Sequence, residues 1–461
     1  MTARLAFRQR VGEWFQGSAN RRILAAVLTV GGFSAVVKAL STLKELVVSY
    51  RFGTGDAVDA FLIAFLLPSL IVNIVAGSFT AAFTPVYIET RETQGALAAR
   101  RLFGSATAGS VVFVLVVTAV ILVSMPVVTG LLGARFSPEK LALTRSLFLL
   151  LLPIIVLSTV YTLWAAVLNA EEKFGLVALA PACVPLFTVV TLVVAGRAWG
   201  IYALARGALF GYGAQCAVLA IGLARAGMPL LPRWLGSTPE LKRIALQYLP
   251  MVAGAVLTSS SWAIGQAMAA TLPAGSVATL NYGNKVVGII AEISATAIAT
   301  AVLPHFSLMV ARREWPAIRR TFRVYSRLIA LGVVPVVLVL IVSSSTIVRL
   351  LFERGAFTAT DTGLVASVQS YYLLQLPFVM IGVLLVRLAS SLQKNQILLL
   401  GAAITLPVNV VLNLVLMRWL GVAGIALATS AVFLVSCCYL ALSLHRALKI
   451  HESRHPTLSG P

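Results

Sequence analysis

Apolar runs of about 20 residues or more recur along the whole chain, and they decide most of what it can fold into. In lipid every backbone N–H and C=O must be satisfied within the segment, so each run reads as a membrane-spanning α-helix. Twelve are expected, at about 23–49, 59–87, 104–132, 145–169, 174–196, 200–224, 244–270, 276–310, 325–351, 362–391, 396–417 and 422–446. The longest connections are about 12 to 20 residues, too short to hold a soluble domain. Composition agrees: 59% of residues are hydrophobic and 11% charged, where soluble domains run near a quarter charged. The expected fold class is an all-α polytopic membrane protein.

The formal net charge of +21 raises nucleic acid as a partner, but the placement of the charge argues for topology instead. Of 36 basic residues, 23 fall in the N-terminal tail, the even-numbered loops and the C-terminal tail. The odd-numbered loops hold eight: Arg51, Arg135, Lys140, Arg145, Arg197, Arg349, Arg354 and Arg418. By the positive-inside rule the richer side, with both termini, faces the cytoplasm. The start "MTARLAFRQRVGEWFQGSANRR" reads as a basic amphipathic tail at the membrane interface, with Trp14 and Phe15 on it. All four cysteines (Cys183, Cys216, Cys437, Cys438) lie in spans, without disulfide or metal-ligand spacing.

The chain also repeats itself. "TPVYIETRETQGALAARRLF" (84–103) pairs with "LPHFSLMVARREWPAIRRTF" (303–322) without a gap. The stretch 151–172 pairs with 375–396 around Pro153 and Pro377, and "RAWGIYALA" (197–205) with "RWLGVAGIALA" (418–428). Two six-helix halves follow, 1–228 and 229–446, with 229–243 as a cytoplasmic linker and 447–461 as a cytoplasmic tail. An even number of spans per half gives both halves the same orientation, as in parallel-repeat transporters.

Five basic residues remain inside spans: Lys38, Lys44, Arg206, Lys285 and Arg387. Charge at the centre of a membrane helix costs about 2.5 to 3.5 kcal/mol per residue on insertion scales, so each needs a reason. At 100° per residue, Lys38, Ser34, Ser41, Thr42 and Glu45 fall within about 40–60° of one direction, with Lys44 at the edge. The opposite face, with Leu40 and Leu43, is apolar. The eighth span repeats the device, with Lys285 and Glu292 seven apart, as Lys38 and Glu45 are. Asp59 opens the second span, Asn73 sits inside it, and Arg387 lies in the tenth. Two readings stand. The charges pair across helices to fix packing, or they line a hydrated cavity for an anionic cargo whose phosphate oxygens suit ammonium and guanidinium groups. Arg206 and Arg387 can also snorkel. An enzyme finds no support: His305, His445, His451 and His455 lack the spacing of a base or metal ligand, and no nucleophile motif or glycine-rich phosphate loop is present.

Four stretches carry a family resemblance: "FGTGDAVDAFLIAFLLPSLIVNIVAGSFTAAFTPVY", "VLNAEEKFGLVALAP" (167–181), "LNYGNKVVGII" (280–290) and "LLFERGAFTATDT" (350–362). They resemble the lipid II flippases of the MurJ/MviN family, in the MOP exporter superfamily. The resemblance implies a MOP/MATE-like V-shaped bundle around a central cavity. It implies alternating-access transfer of an undecaprenyl-diphosphate-linked saccharide from the inner to the outer leaflet of the bacterial cytoplasmic membrane. The cargo would be lipid II, for peptidoglycan, or an exopolysaccharide repeat unit. Substrate-binding residues carried over are Lys38, Lys44, Asp59, Lys285 and Arg387, and the residue reading adds Glu45, Asn73 and Glu292. No cofactor or metal is implied. Expected partners are the lipid-linked glycan, membrane lipids and glycan polymerase or synthase proteins, with the chain itself a monomer. The alternatives are a MATE-like small-molecule antiporter and a non-transporting scaffold of a glycan synthase complex. The chain departs from the family pattern in four respects, one of them the stretch "ASSLQKNQIL" after the tenth span, which lacks the family's Phe-Tyr and later Asp-Thr-x-Thr-Pro. Val72 and Asn73 stand where the family has a cavity arginine, lysines replace three arginines, and twelve spans stand against the usual fourteen.

Overall fold

Hydropathy marks where a helix lies in lipid, but backbone hydrogen bonding carries the helix further, into the polar flanks. In a computed structural model, which describes residues 19–133 and 135–454, the helices outrun the apolar runs at many ends. The first half holds α1 (Ala19–Phe52), α2 (Asp56–Gln94), α3 (Ala96–Leu132), α4 (Pro138–Ala170), α5 (Phe174–Trp199) and α6 (Tyr202–Arg225). The second holds α7 (Pro239–Ala269), α8 (Ser276–Ala311), α9 (Trp315–Val342), α10 (Ala359–Ser391), α11 (Asn395–Leu420) and α12 (Val422–Arg454). A short helix, Ser344–Phe352, lies between α9 and α10. Among the described residues, α2 to α12 supply eleven helices long and apolar enough to cross a membrane. The first expected span falls within α1. The tails 1–18 and 455–461, with the interfacial role expected of the first, lie outside the described residues.

Prolines shape two of these spans alike. A proline inside a helix removes one donor and its ring crowds the carbonyl four residues back. At Pro153 α4 divides into Pro138–Leu151 and Pro153–Ala170, and near Pro377 α10 divides into Ala359–Leu373 and Leu376–Ser391. The turns that follow share one geometry. Lys173 N donates to Leu168 O at 2.8 Å past Glu172 (φ 58°), and Lys394 N donates to Ala389 O at 3.0 Å past Gln393 (φ 56°). Those turns stand 221 residues apart, whereas Pro153 and Pro377 stand 224 apart. The register of the two spans therefore slips by three residues between the break and the turn.

The chain divides into two compact units that do not follow the sequence halves. One comprises 1–48, 64–128 and 142–255; the other comprises 49–63, 129–141 and 256–461. The first is built on Phe79, Phe83 and Tyr87 of α2, whose rings succeed one another at 5.1 and 5.4 Å, packed with Leu163, Leu168 and Leu223. Within it α6 lies hard against α5: a Cβ on Gly211 would come within 2.5 Å of Val184 Cα. Small residues permit such approach where packing, with no hydrophobic drive, must hold helices together in lipid. The second unit has its own core, from Phe306 of α8, Trp315 and Ile318 of α9, Leu385 of α10 and Leu444 of α12.

Candidate functional site

The densest chemistry lies at one end of the second unit, where 49–63 and 129–141 join 256–461. The first N–H groups of any helix lack intrahelical acceptors, and Ser, Thr, Asp or Asn at the N-cap normally supplies one. At the start of α8 the N-cap is Gly275, which has no side chain to offer. The acceptor comes instead from Asp59, 216 residues away, which receives Gly275 N on Oδ2 and Ala278 N on Oδ1, both at 2.8 Å. Lys140 Nζ approaches Asp59 Oδ2 at 3.1 Å and Asp56 Oδ1 at 2.5 Å. A carboxylate at a helix N-terminus also meets the positive end of the dipole. The Asp59 side chain is 2% exposed and that of Lys140 9%, so this pair is withdrawn from solvent, while Asp56 stands at its exposed edge.

Glycine is required at this seam for a steric reason. Gly275 adopts φ +85°, and a Cβ there would stand 2.2 Å from Thr54 O; Gly355, at φ +62°, would place one 2.3 Å from Tyr50 O. The stretch around Gly355 then closes on 49–63. Ala356 N donates to Tyr50 O at 2.8 Å, Tyr282 OH to Gly53 O at 3.3 Å, and Thr54 Oγ1 to Asp361 Oδ1. Asp361 is fixed by a capping box, receiving Thr358 N at 2.7 Å while Thr358 Oγ1 receives Asp361 N at 3.3 Å. Tyr282, Phe352 and Phe357 pack as an aromatic cluster beneath, with centroids 5.3 to 5.8 Å apart. We refer to this assembly as the latch.

The other expected residues are distributed as follows. Lys38, Lys44, Glu45 and Asn73 belong to the first unit; Asp59, Lys285, Glu292 and Arg387 belong to the second. On α1, Lys44 Nζ and Glu45 Oε1 pair at 2.9 Å with side chains about a quarter and a fifth exposed. Lys38 is half-buried and Asn73 exposed. On α8, Lys285 is half-buried and Glu292 exposed; seven residues apart, they share a face of the helix. The neighbouring face, through Asn284, lines a cavity of about 620 Å³ inside the second unit, with Trp262, Gln266, Gln375 and Asn409. Arg387 lies in an adjoining cavity of about 440 Å³ with Thr296, Thr300, Ser436 and Cys437. Its Nε is buried and makes no hydrogen bond among the described residues. Arg206 has a local explanation, since its guanidinium sits 4.4 Å from the centroid of the Trp199 ring.

Sequence reasoning did not reach Lys140, Gly275 or the cavity amides Gln266, Gln375 and Asn409. Lys140 reads as an ordinary loop cation, and its partners are more than 80 residues away. One signal was available: "LPAGS" opens a long helix with glycine at the cap, so a cap had to come from elsewhere in the chain.

Comparison with known proteins places this architecture. Among solved structures, a "Lipid II flippase MurJ, inward closed conformation" superposes with a TM-score of 0.79 at 20% identity, covering 91% of this chain and 87% of that one. An inward-facing MATE-family multidrug transporter of the MOP superfamily reaches 0.74 at 13%, covering 94% and 100%. At such identities these likenesses speak for the fold alone. A curated relative from Rhizobium tropici, a probable lipid II flippase MurJ, is 27% identical over 437 residues, covering 91% of this chain and 80% of its own length. The lipid II flippase MurJ of Burkholderia cenocepacia is 27% identical over 445 residues, covering 93% and 84%. The sequence model of the family described as lipid II flippase MurJ matches residues 48–458, and the chain therefore belongs to that family.

Proposed function

We propose that this multi-pass membrane protein is an alternating-access flippase, not an enzyme, that moves a polyprenyl-diphosphate-linked glycan across the cytoplasmic membrane with both termini in the cytoplasm. The observation that carries the reading is the pair of matched helices. In a chain of this family, α1 and α8 each hold a half-buried lysine and a glutamate seven residues on, within predominantly apolar helices. Lys38, Lys44, Lys285 and Arg387 supply the positive charge that the diphosphate meets. Glu45 and Glu292 hold the lysines in place and keep the path from binding anions too firmly to release them. Asn73 offers a neutral contact where family members use arginine. Asp59 acts differently from the cations, closing the periplasmic end through the latch. Closing that end while cargo loads from the cytoplasmic leaflet is what alternating access requires. The cargo is drawn from the membrane, and a glycan polymerase or synthase on the far side consumes it.

Hydrogen bonds to charged groups contribute about 1.5 to 3 kcal/mol each, so Lys38→Ala or Lys285→Ala should slow flipping about 10- to 100-fold. Flipping of a fluorescent lipid-linked glycan in reconstituted vesicles measures this, with protein abundance in the membrane followed alongside. Lys→Arg should keep most of the rate. If Lys38 and Glu45 can be replaced together by apolar residues with normal abundance and normal flipping, the cargo-binding role is refuted.

A further inference from the structure

On α9, Arg319, Arg323 and Arg327 recur every four residues, rising along one side of the helix over about 12 Å. With Ser326 and with His445 of α12 they line a groove of about 500 Å³. Its floor is apolar and firm, because Leu385, Leu388 and Leu444 there also belong to the core of the second unit. Among the described residues no carboxylate lines the groove, and none pairs with Arg323 or Arg327. The Ser326 hydroxyl is buried and makes no hydrogen bond among the described residues. Positive charge for topology alone needs only to sit near the helix end; it does not need to be aligned above an apolar floor.

We propose that this groove holds the headgroup phosphate of an anionic phospholipid from the leaflet that meets the N-terminal end of α9. Charge complementarity selects the anion, since Arg323 and Arg327 face a groove whose lining holds no carboxylate among the described residues. Continuity with lipid selects a phospholipid over a soluble anion. The exposed side of α9 beside the ladder is Val324, Leu328 and Leu331, of which Leu331 is 75% exposed. Arg327 lies at the start of the apolar run expected at about 325–351, where headgroups give way to acyl chains. The phosphate sits between the arginines, receiving N–H from Arg323 and Arg327 and O–H from Ser326, while the chains run up the leucine face. Such basic pockets between helices are a recurrent mode of lipid recognition. This lipid is not the transported cargo. That the leaflet is the inner one rests on the orientation proposed above, but the groove itself does not.

The test uses the full chain with its four cysteines removed and one cysteine placed at Ala330, a groove residue, carrying bimane. The protein is reconstituted in phosphatidylcholine vesicles containing either brominated phosphatidylglycerol or brominated phosphatidylcholine at equal fraction. A basic residue near an anionic surface contributes about 1 kcal/mol, or about a fivefold preference. Phosphatidylglycerol should therefore quench preferentially in the parent, and Arg323→Ala and Arg327→Ala should each lower the preference about fivefold until it reaches unity. The double Arg→Lys variant should keep most of it, which separates lost charge from a misfolded helix. Equal quenching by the two lipids in the parent, or an undiminished preference in the double alanine variant, overturns the proposal. Loss of the preference on adding millimolar inorganic phosphate at constant ionic strength overturns the assignment to a lipid. Flipping is not measured, so failure here leaves the flippase reading standing, and the reverse holds too.

Discussion

Of the ion pairs that tie α2 to distant parts of the chain, two differ in everything except chemistry. In the first unit Glu89 Oε2 meets Arg243 Nη1 at 2.8 Å, with both side chains 54% exposed, and Gln94 donates to Glu240 at 2.9 Å beside it. In the second unit Asp59 meets Lys140 at the longer distance of 3.1 Å, but almost wholly out of solvent and with two backbone N–H groups on the same carboxylate. The closer pair is the weaker one. An exposed pair competes with water and salt and contributes about 0–1 kcal/mol. A buried pair adds little net stability against an apolar replacement, yet removing one partner strands the other and costs about 3 to 5 kcal/mol. The latch is thus nearly all-or-none, closed when every partner is seated and costly in any halfway state. That fits the role proposed above for this end in alternating access, while the Glu89–Arg243 pair can loosen by degrees.

Substitutions grade this contrast. Asp59→Ala should have the largest effect, because it uncaps α8 and takes from Lys140 its buried partner, leaving only the exposed Asp56. A cost of about 3 to 5 kcal/mol should appear as faster amide exchange at Gly275 and Ala278 and as thiol labelling at a cysteine placed at Thr54. Gly275→Ala comes next. Its Cβ would press on Thr54 O in a backbone region that L-residues avoid, a strain of about 1 to 3 kcal/mol. The thermal midpoint in detergent should fall, with Asp59 still present. Glu89→Ala should be smallest, within about 1 kcal/mol and smaller still in high salt. If Glu89→Ala matched Asp59→Ala in exchange and melting, burial would not be what separates the two regions.

The parts legible in sequence and the parts that were not divide along the same physical line. The spans could be read because lipid imposes one rule on about 20 consecutive residues at a time. Their ends could not: α2 continues past the apolar run through Glu89, Arg91 and Glu92 to Gln94, since hydrogen bonding along a helix does not stop where lipid does. Lys38, Glu45, Lys285 and Glu292 announced themselves as charges in apolar surroundings. The role of Asp59 did not, because its donors lie 216 and 219 residues away and are backbone groups without a side-chain signature. Nor did the regrouping of 49–63 and 129–141 with 256–461. It depends on contacts such as Thr54 with Asp361, 307 residues apart, and no local pattern encodes them.

If the latch opens during transport, as proposed above, locking it must stop transport. In a cysteine-free background, Thr54→Cys and Asp361→Cys replace two side chains that touch in the closed latch, and a short bifunctional thiol reagent joins them. Flipping of a lipid-linked glycan is then followed in reconstituted vesicles, with each single-cysteine protein treated in parallel. Arrest is expected when both cysteines are joined, with recovery when a cleavable linker is reduced and no effect of the reagent on either single variant. Undiminished flipping with the two cysteines joined would contradict it.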